Sequence, residues 1–415
     1  MKALTGLIIF LLLSGINLSE ASACQSPSID SSNPLQNSTT ANPITLDFQS
    51  GARWELCWEV DDHSGLSLSQ IYYGGPSMPL RKIMDSASIG QIIFQYDEDT
   101  TASHVVSEYG LGGDHWDEEA LNCTDGEWVA GTEHNICLNR REINLLARAR
   151  HYRSLPRNEI TLSGISTIGL DNFQQSWRFT EDGELKPAVV YSGKVSRYTT
   201  NADFGSKVDD SNQYASNATL LVNWRLNFNI DDSPENDLIH EFNFISKSAS
   251  DLKKQITLQS IDKESFRKTN NTDFRGWRIS DSEASSGENG HNSPTRIGYY
   301  LDPQPSGYRL LSENGAWSEY DLAVTNYREC EKLASSNNLI DDNCGANLGD
   351  FVNGESIQNP VVWFSLTRHF TPSKEDFPAI RSNPIEFSLI PFDWTASSPF
   401  SALATPIDST VVITR

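Results

Sequence analysis

Along this chain apolar and polar positions alternate in short runs and seldom recur at helical spacing. From Phe48 onward, runs rich in β-branched and aromatic residues are broken by Gly, Asn, Asp and Ser. Leu66 to Tyr73, Gln91 to Tyr96, Ala188 to Val195, Leu220 to Ile230 and Val361 to Leu366 are predicted strands. Within the fourth run Trp224, Leu226, Phe228 and Ile230 alternate with Arg225, Asn227 and Asn229, the pattern of a half-buried strand. Helical periodicity is confined to Glu142–Arg150 and Tyr327–Ala334, which predict two short helices. No internal repeat interrupts this texture. The expected fold class is all-β, one large β-sandwich over residues 46–415.

The first residues read differently. Lys2, an apolar run from Leu7 to Leu13 and Ala21-Ser22-Ala23 form a signal peptide over residues 1–23, too short to span a bilayer. No later stretch is apolar enough to be a transmembrane segment. Residues 24–45, rich in Ser, Asn, Pro and Thr, predict a polar linker. The expected location is secreted or periplasmic. Ala21-Ser22-Ala23-Cys24 also resembles a weak lipobox, so a lipoprotein anchored through Cys24 is the runner-up. The spacer from Ser14 to Glu20 is long for a lipobox. An even set of cysteines in an exported chain suggests bridges Cys123–Cys137 and Cys330–Cys344, leaving Cys24–Cys57.

The roughly 390 residues beyond the leader suffice for one large or two smaller domains. Over the full chain, 55 acidic and 32 basic side chains give a formal charge of −23. Such a surface repels nucleic acid and anionic membranes and concentrates cations, amines included; the plainer reading is a solvated, salt-tolerant surface.

Motif chemistry is sparse. His63, His104, His115, His134, His151, His240, His291 and His369 are dispersed, with no H-x-H, H-x-x-x-H or C-x-x-C spacing. There is no G-x-S-x-G elbow, Walker loop or dinucleotide fingerprint. Asp209-Asp210, Asp231-Asp232 and Asp341-Asp342 could bind Ca²⁺ but read better as turn formers.

A series of segments in order carries a resemblance: Gly65-Leu66-Ser67-Leu68, Tyr96-Asp97, Glu108-Tyr109-Gly110-Leu111-Gly112, Asn122-Cys123 with Asn135-Ile136-Cys137, and Trp177-Arg178-Phe179 with Asp182-Gly183-Glu184-Leu185. Gly298-Tyr299-Tyr300-Leu301, Tyr320 to Tyr327 and Glu375-Asp376-Phe377-Pro378 continue it. From about Trp58 to Thr405 the chain resembles the C-terminal catalytic domain of copper amine oxidases. The family's smaller N-terminal domains have no counterpart here. The resemblance implies a sandwich fold, a homodimer, the disulfide Cys123–Cys137, and primary-amine oxidation by copper and a tyrosine-derived topaquinone.

The residues at the active positions contradict that activity. The topaquinone position is Asp171, preceded by Leu170 and followed by Asn172 and Phe173. A carboxylate cannot become a quinone, and Phe173 lacks the phenol oxygen. The copper positions are Ala218, Leu220 and Phe370; His369 lies one residue off and on a strand would face the other way. The proton-abstracting aspartate corresponds to Val105, while Tyr96 matches the tyrosine that hydrogen-bonds the quinone. A peripheral Ca²⁺ site of some relatives maps to Asn227, Asn229 and Asn359, neutral amides in place of carboxylates. No metal or cofactor is therefore expected. The expected function is an exported, non-catalytic binding or structural protein, with Asp171 and Tyr96 as a pocket for amines or other cationic small molecules. The alternatives are an amine oxidase of altered site and an accessory subunit of an active one.

Overall fold

The computed structural model describes Cys24 and residues 41–76, 78–97, 102–117, 123, 125–146, 155–246, 253–285, 296–303 and 316–395. The leader, most of the linker, His151, His291 and Thr405 lie outside them. Two large antiparallel sheets dominate. One orders the strands Asn42–Asp47, Arg53–Asp61, Gly65–Gly74, Arg81–Tyr96, Ala218–Phe228, Pro360–Phe370, Leu322–Asn326 and Ser265–Arg267, with Ala102–Val105 added beside Arg81–Tyr96. The other runs Lys254–Ser260, Asp237–Ser246, Gly276–Ser285, Arg296–Asp302, Ser388–Phe392, Leu185–Lys194, Asp171–Thr180, Leu155–Ile168, Asn135–Leu146 and Glu127–Ala130. Ala379–Glu386 also pairs with Leu185–Lys194. All the predicted strands are present, several longer than their apolar runs.

Period-two alternation closes these sheets on each other. Trp54, Trp177, Trp224, Trp277, Phe179 and Phe228 are buried between them. Trp54 meets Phe179 edge-on at 5.1 Å across the interior, and Trp277 meets Phe364 at 6.3 Å. Two of the indoles are tied to the opposite sheet: Trp54 Nε1 donates to the Thr180 carbonyl and Trp177 Nε1 to the Leu66 carbonyl, both at 2.9 Å. Aromatic bulk thus contributes area, while single N–H groups set the register between layers.

Three expectations change. The strand Ala218–Phe228 is buried at every position, not half-buried. Its polar face lies under the segment 316–351, where Trp317, Ala334, Leu348, Phe351 and Trp363 form a second core. There Asn223 Nδ2 donates to Ser365 Oγ (2.9 Å), and Arg225 Nε donates to the Glu331 carbonyl (2.7 Å). The Arg225 guanidinium lies 5.5 Å from the Tyr327 and Trp363 rings. Alternation here marks two different interiors. Second, Glu142–Leu146 continues the strand Asn135–Leu146, because pairing with Leu155–Ile168 outweighs local helical preference; 147–150 lie outside the described residues. Third, Tyr327–Ala334 is irregular rather than helical. Asn337 holds it, its Oδ1 accepting from the N–H groups of Lys332 and Leu333 (2.9 and 3.0 Å).

The bridges Cys24–Cys57, Cys123–Cys137 and Cys330–Cys344 are all formed. The sandwich starts at Asn42, inside the stretch read as linker, since Asn42–Asp47 pairs with Arg53–Asp61.

Candidate functional site

Register places the candidate residues. Tyr96, Ala218 and Phe370 form one cross-strand row, and Phe94, Leu220 and Arg368 the next. Side chains in such rows share a face, here the one toward the other sheet. Opposite them stand Asp171, Phe173 and Tyr191. Ile168 pairs with Asp171 across the two-residue turn Gly169-Leu170, which uses the positive φ (64°) of Gly169. Asp171 is thus the first residue of its strand, at the mouth of the sandwich rather than deep in it.

Ala218 and Leu220 are buried, and Phe94, Tyr191 and Phe370 close over them. Phe94 lies 4.7 Å from Tyr191, Phe173 5.6 Å from Tyr191, and Phe370 6.5 Å from it. The space left between Phe94, Tyr191, Leu220, Phe370 and Ile385 is about 30 Å³, room for about one water. His369 pairs with Thr219 on the other face, its Nδ1 3.2 Å from Thr219 Oγ1. Val105 pairs with Ile93, whose side chain enters the second core, and Val105 does not line the nearby cavity; its neighbour Val106 does.

That cavity, about 450 Å³, opens beside the filled region. Phe94, Val106, Ile168, Leu170 and Phe173 give it apolar walls; Tyr96, Asp171, Ser196 and Arg197 supply its polar groups. Tyr191 Oη donates to Asp171 Oδ1 at 2.9 Å, and the Tyr96 hydroxyl is hydrogen-bonded to the side chains of Tyr191 and Ser196. Burial pushes the Asp171 carboxyl up, opposed by the Tyr191 bond and by the Arg197 charge. Burial, then the Asp171 charge, pushes Tyr96 up to about 12, and the same two causes raise Tyr191. These tyrosines stay protonated donors. Arg197 lies over Tyr96, its Cζ 5.6 Å from the ring centre. Tyr96 and Asp171, both expected from the sequence, line this same cavity. Arg197 lies in no motif, and Tyr191 is marked in the sequence only by its place within the predicted strand Ala188 to Val195.

The remaining candidates lie elsewhere. Asn227, Asn229 and Asn359 each leave a buried amide oxygen without a hydrogen-bond partner, while Asn229 Nδ2 donates to Asp85 Oδ2 at 2.9 Å. Asp209 and Asp341 accept from the N–H groups two residues on, at 2.9 and 3.0 Å, as turn formers do. Asp231 and Asp232 have positive φ and reach Arg81 and Lys82. Among the described residues no group of three or more His, Cys, Asp or Glu is placed to hold a metal ion.

Two broad antiparallel sheets closed on aromatic side chains, with a lateral cavity at one end, define a large β-sandwich domain. The model for the copper amine oxidase enzyme domain matches residues 122–410, and the chain belongs to that family. It is 20% identical to the primary amine oxidase of Arthrobacter sp. (strain P1) over 410 residues, covering 88% of this chain and 62% of the relative. A copper-containing amine oxidase, gamma 2, of Arabidopsis thaliana is 24% identical over 278 residues, 59% of this chain and 39% of that one. Solved structures share the fold. The copper-containing benzylamine oxidase of Hansenula polymorpha has a TM-score of 0.70 at 18% identity, over 88% of this chain and 62% of its own. Aspergillus nidulans amine oxidase has a TM-score of 0.67 at 19% identity, over 91% and 57%. The chain thus spans less than two thirds of the length of these relatives.

Proposed function

We propose that this chain binds a small ligand on an amine-oxidase scaffold without oxidising it. One observation carries the reading: Ala218, Leu220 and Phe370, at the positions the resemblance gives to copper ligands, form an apolar row with about 30 Å³ beside it. Copper(II) requires nitrogen, oxygen or sulfur donors, and none of these side chains has one. His369 faces away and engages Thr219. Asp171 at the quinone position has no ring to oxidise. The residues do not fit copper or topaquinone, and no step through either follows from them. What these residues can do is hold a guest in the 450 Å³ cavity by the Tyr96–Tyr191–Asp171 hydrogen-bond chain and aromatic walls. Export through residues 1–23 belongs to the same reading and accords with three bridges. Homodimer formation rests on family resemblance and is checked by light scattering.

The test is metal content and redox chemistry of the purified chain after incubation with Cu(II) and removal of excess. Expected are copper well below one per chain, a negative redox-cycling quinone stain, and no hydrogen peroxide with methylamine or benzylamine. One copper per chain with a positive stain would overturn the proposal.

A further inference from the structure

The cavity pairs an aspartate with an arginine on one short arc of wall. Asp171 sits at its rim with Oδ1 taken by Tyr191 Oη at 2.9 Å, and Arg197 lies on the neighbouring wall over Tyr96. Both line the same cavity, and the Arg197 charge partly offsets the upward push of burial on the Asp171 carboxyl. Apart from the Tyr96, Tyr109 and Ser196 hydroxyls, the other side chains lining the cavity, Phe94, Phe173 and Leu170 among them, are apolar. A charged guest must shed water to enter such a place, and only an uncompensated opposite charge offsets that cost. An ammonium head would find a carboxylate already engaged by a phenol and shadowed by a guanidinium. A carboxylate head would find a guanidinium shadowed by Asp171. An uncharged dipolar head loses far less on desolvation than an ion and meets donors and acceptors in the Asp171, Tyr96 and Ser196 side chains.

We infer that this cavity takes an uncharged ligand, an aromatic or branched aliphatic body with a carbonyl, hydroxyl or amide head, and discriminates against the primary ammonium and carboxylate forms of the same body. The inference rests on the binding function proposed above and deepens it. Leu170 and Tyr109, 54% and 63% exposed at the mouth, give an apolar body its first contact before the head reaches the polar wall.

Three probes with one ring and different heads test it on the full chain by calorimetry: benzamide, benzylamine and benzoate. The wild type should bind benzamide at least about tenfold more tightly than either charged probe, the scale of one uncompensated desolvation. Removing one charge should move the preference in a defined direction. Arg197→Gln leaves Asp171 alone and should shift the benzylamine-to-benzamide ratio about tenfold or more toward the amine; Asp171→Asn should shift the benzoate ratio as far toward the acid. A wild type that prefers benzylamine or benzoate, or binds none of the three, overturns the inference. So do variants that weaken all three probes alike. Bound copper and a positive quinone stain would instead sink the earlier reading, so the two failures are distinguishable.

Discussion

Asp237 couples this fold to pH. Its strand pairs antiparallel with Gly276–Ser285 so that Asp237 stands directly opposite Asp281, and both carboxyls are buried. Asp237 Oδ2 accepts from the Ile230 N–H at 3.1 Å, while Oδ1 has no partner. Asp281 Oδ1 accepts from the Glu283 N–H at 2.6 Å. Burial is the largest influence on Asp237; the charges of Asp281 and Asp85 add to it, and its pKa rises from 3.8 to about 8. Below about pH 4 the group is protonated in folded and unfolded chains, and there is no charge penalty. As pH rises, the unfolded chain ionises first, and folded stability falls until the native carboxyl also ionises near pH 8. A gap of roughly four pH units at about 1.36 kcal/mol each puts the total loss on the order of 5 kcal/mol. Asp237→Asn cannot ionise yet keeps an acceptor for the Ile230 N–H. Urea denaturation of both proteins between about pH 5 and 9 gives the comparison. The wild type should lose several kcal/mol more than the variant across that range, and groups shared by both cancel in the difference. Parallel stability curves would refute the reasoning.

Leu220→Ala should cost about 2–4 kcal/mol in urea denaturation, because the buried site cannot collapse onto a smaller side chain; a loss below about 1 kcal/mol would show a loosely filled centre. Gly65→Ala should cost about 2–4 kcal/mol, since φ is +67° and a Cβ would strike the Gln175 amide that accepts from the Leu66 N–H (2.7 Å). Replacing Cys24 and Cys57 together by serine should lower stability by about 3–4 kcal/mol, as the bridge closes a 33-residue separation. Intact mass before and after reduction would show three bridges; an acyl adduct on Cys24 would contradict them.

The chain's own pattern made the sandwich legible. Period-two alternation predicted the strands correctly, and paired cysteines predicted the bridges. Where alternation failed, the cause was a partner remote in sequence. Glu142–Leu146 has helical spacing but takes its backbone partners from Leu155–Ile168. Arg225 looks like a solvent-facing residue, yet it is buried and donates to the Glu331 carbonyl of the segment 316–351.

Side-chain chemistry by position was readable from the sequence alone. That Asp171, Ala218, Leu220 and Phe370 bear neither a quinone precursor nor an imidazole depends only on residue identity. Which of them meet was decided by tertiary structure. Strand register turned Leu220 and Phe370 into one packed centre and sent His369 to the opposite face. Sheet closure brought Arg197, distant in sequence from Tyr96 and outside any motif, over its ring and beside Asp171. The balance of charge in the cavity is therefore a property of the folded sandwich: it depends on distances between strands that no local pattern in the chain encodes.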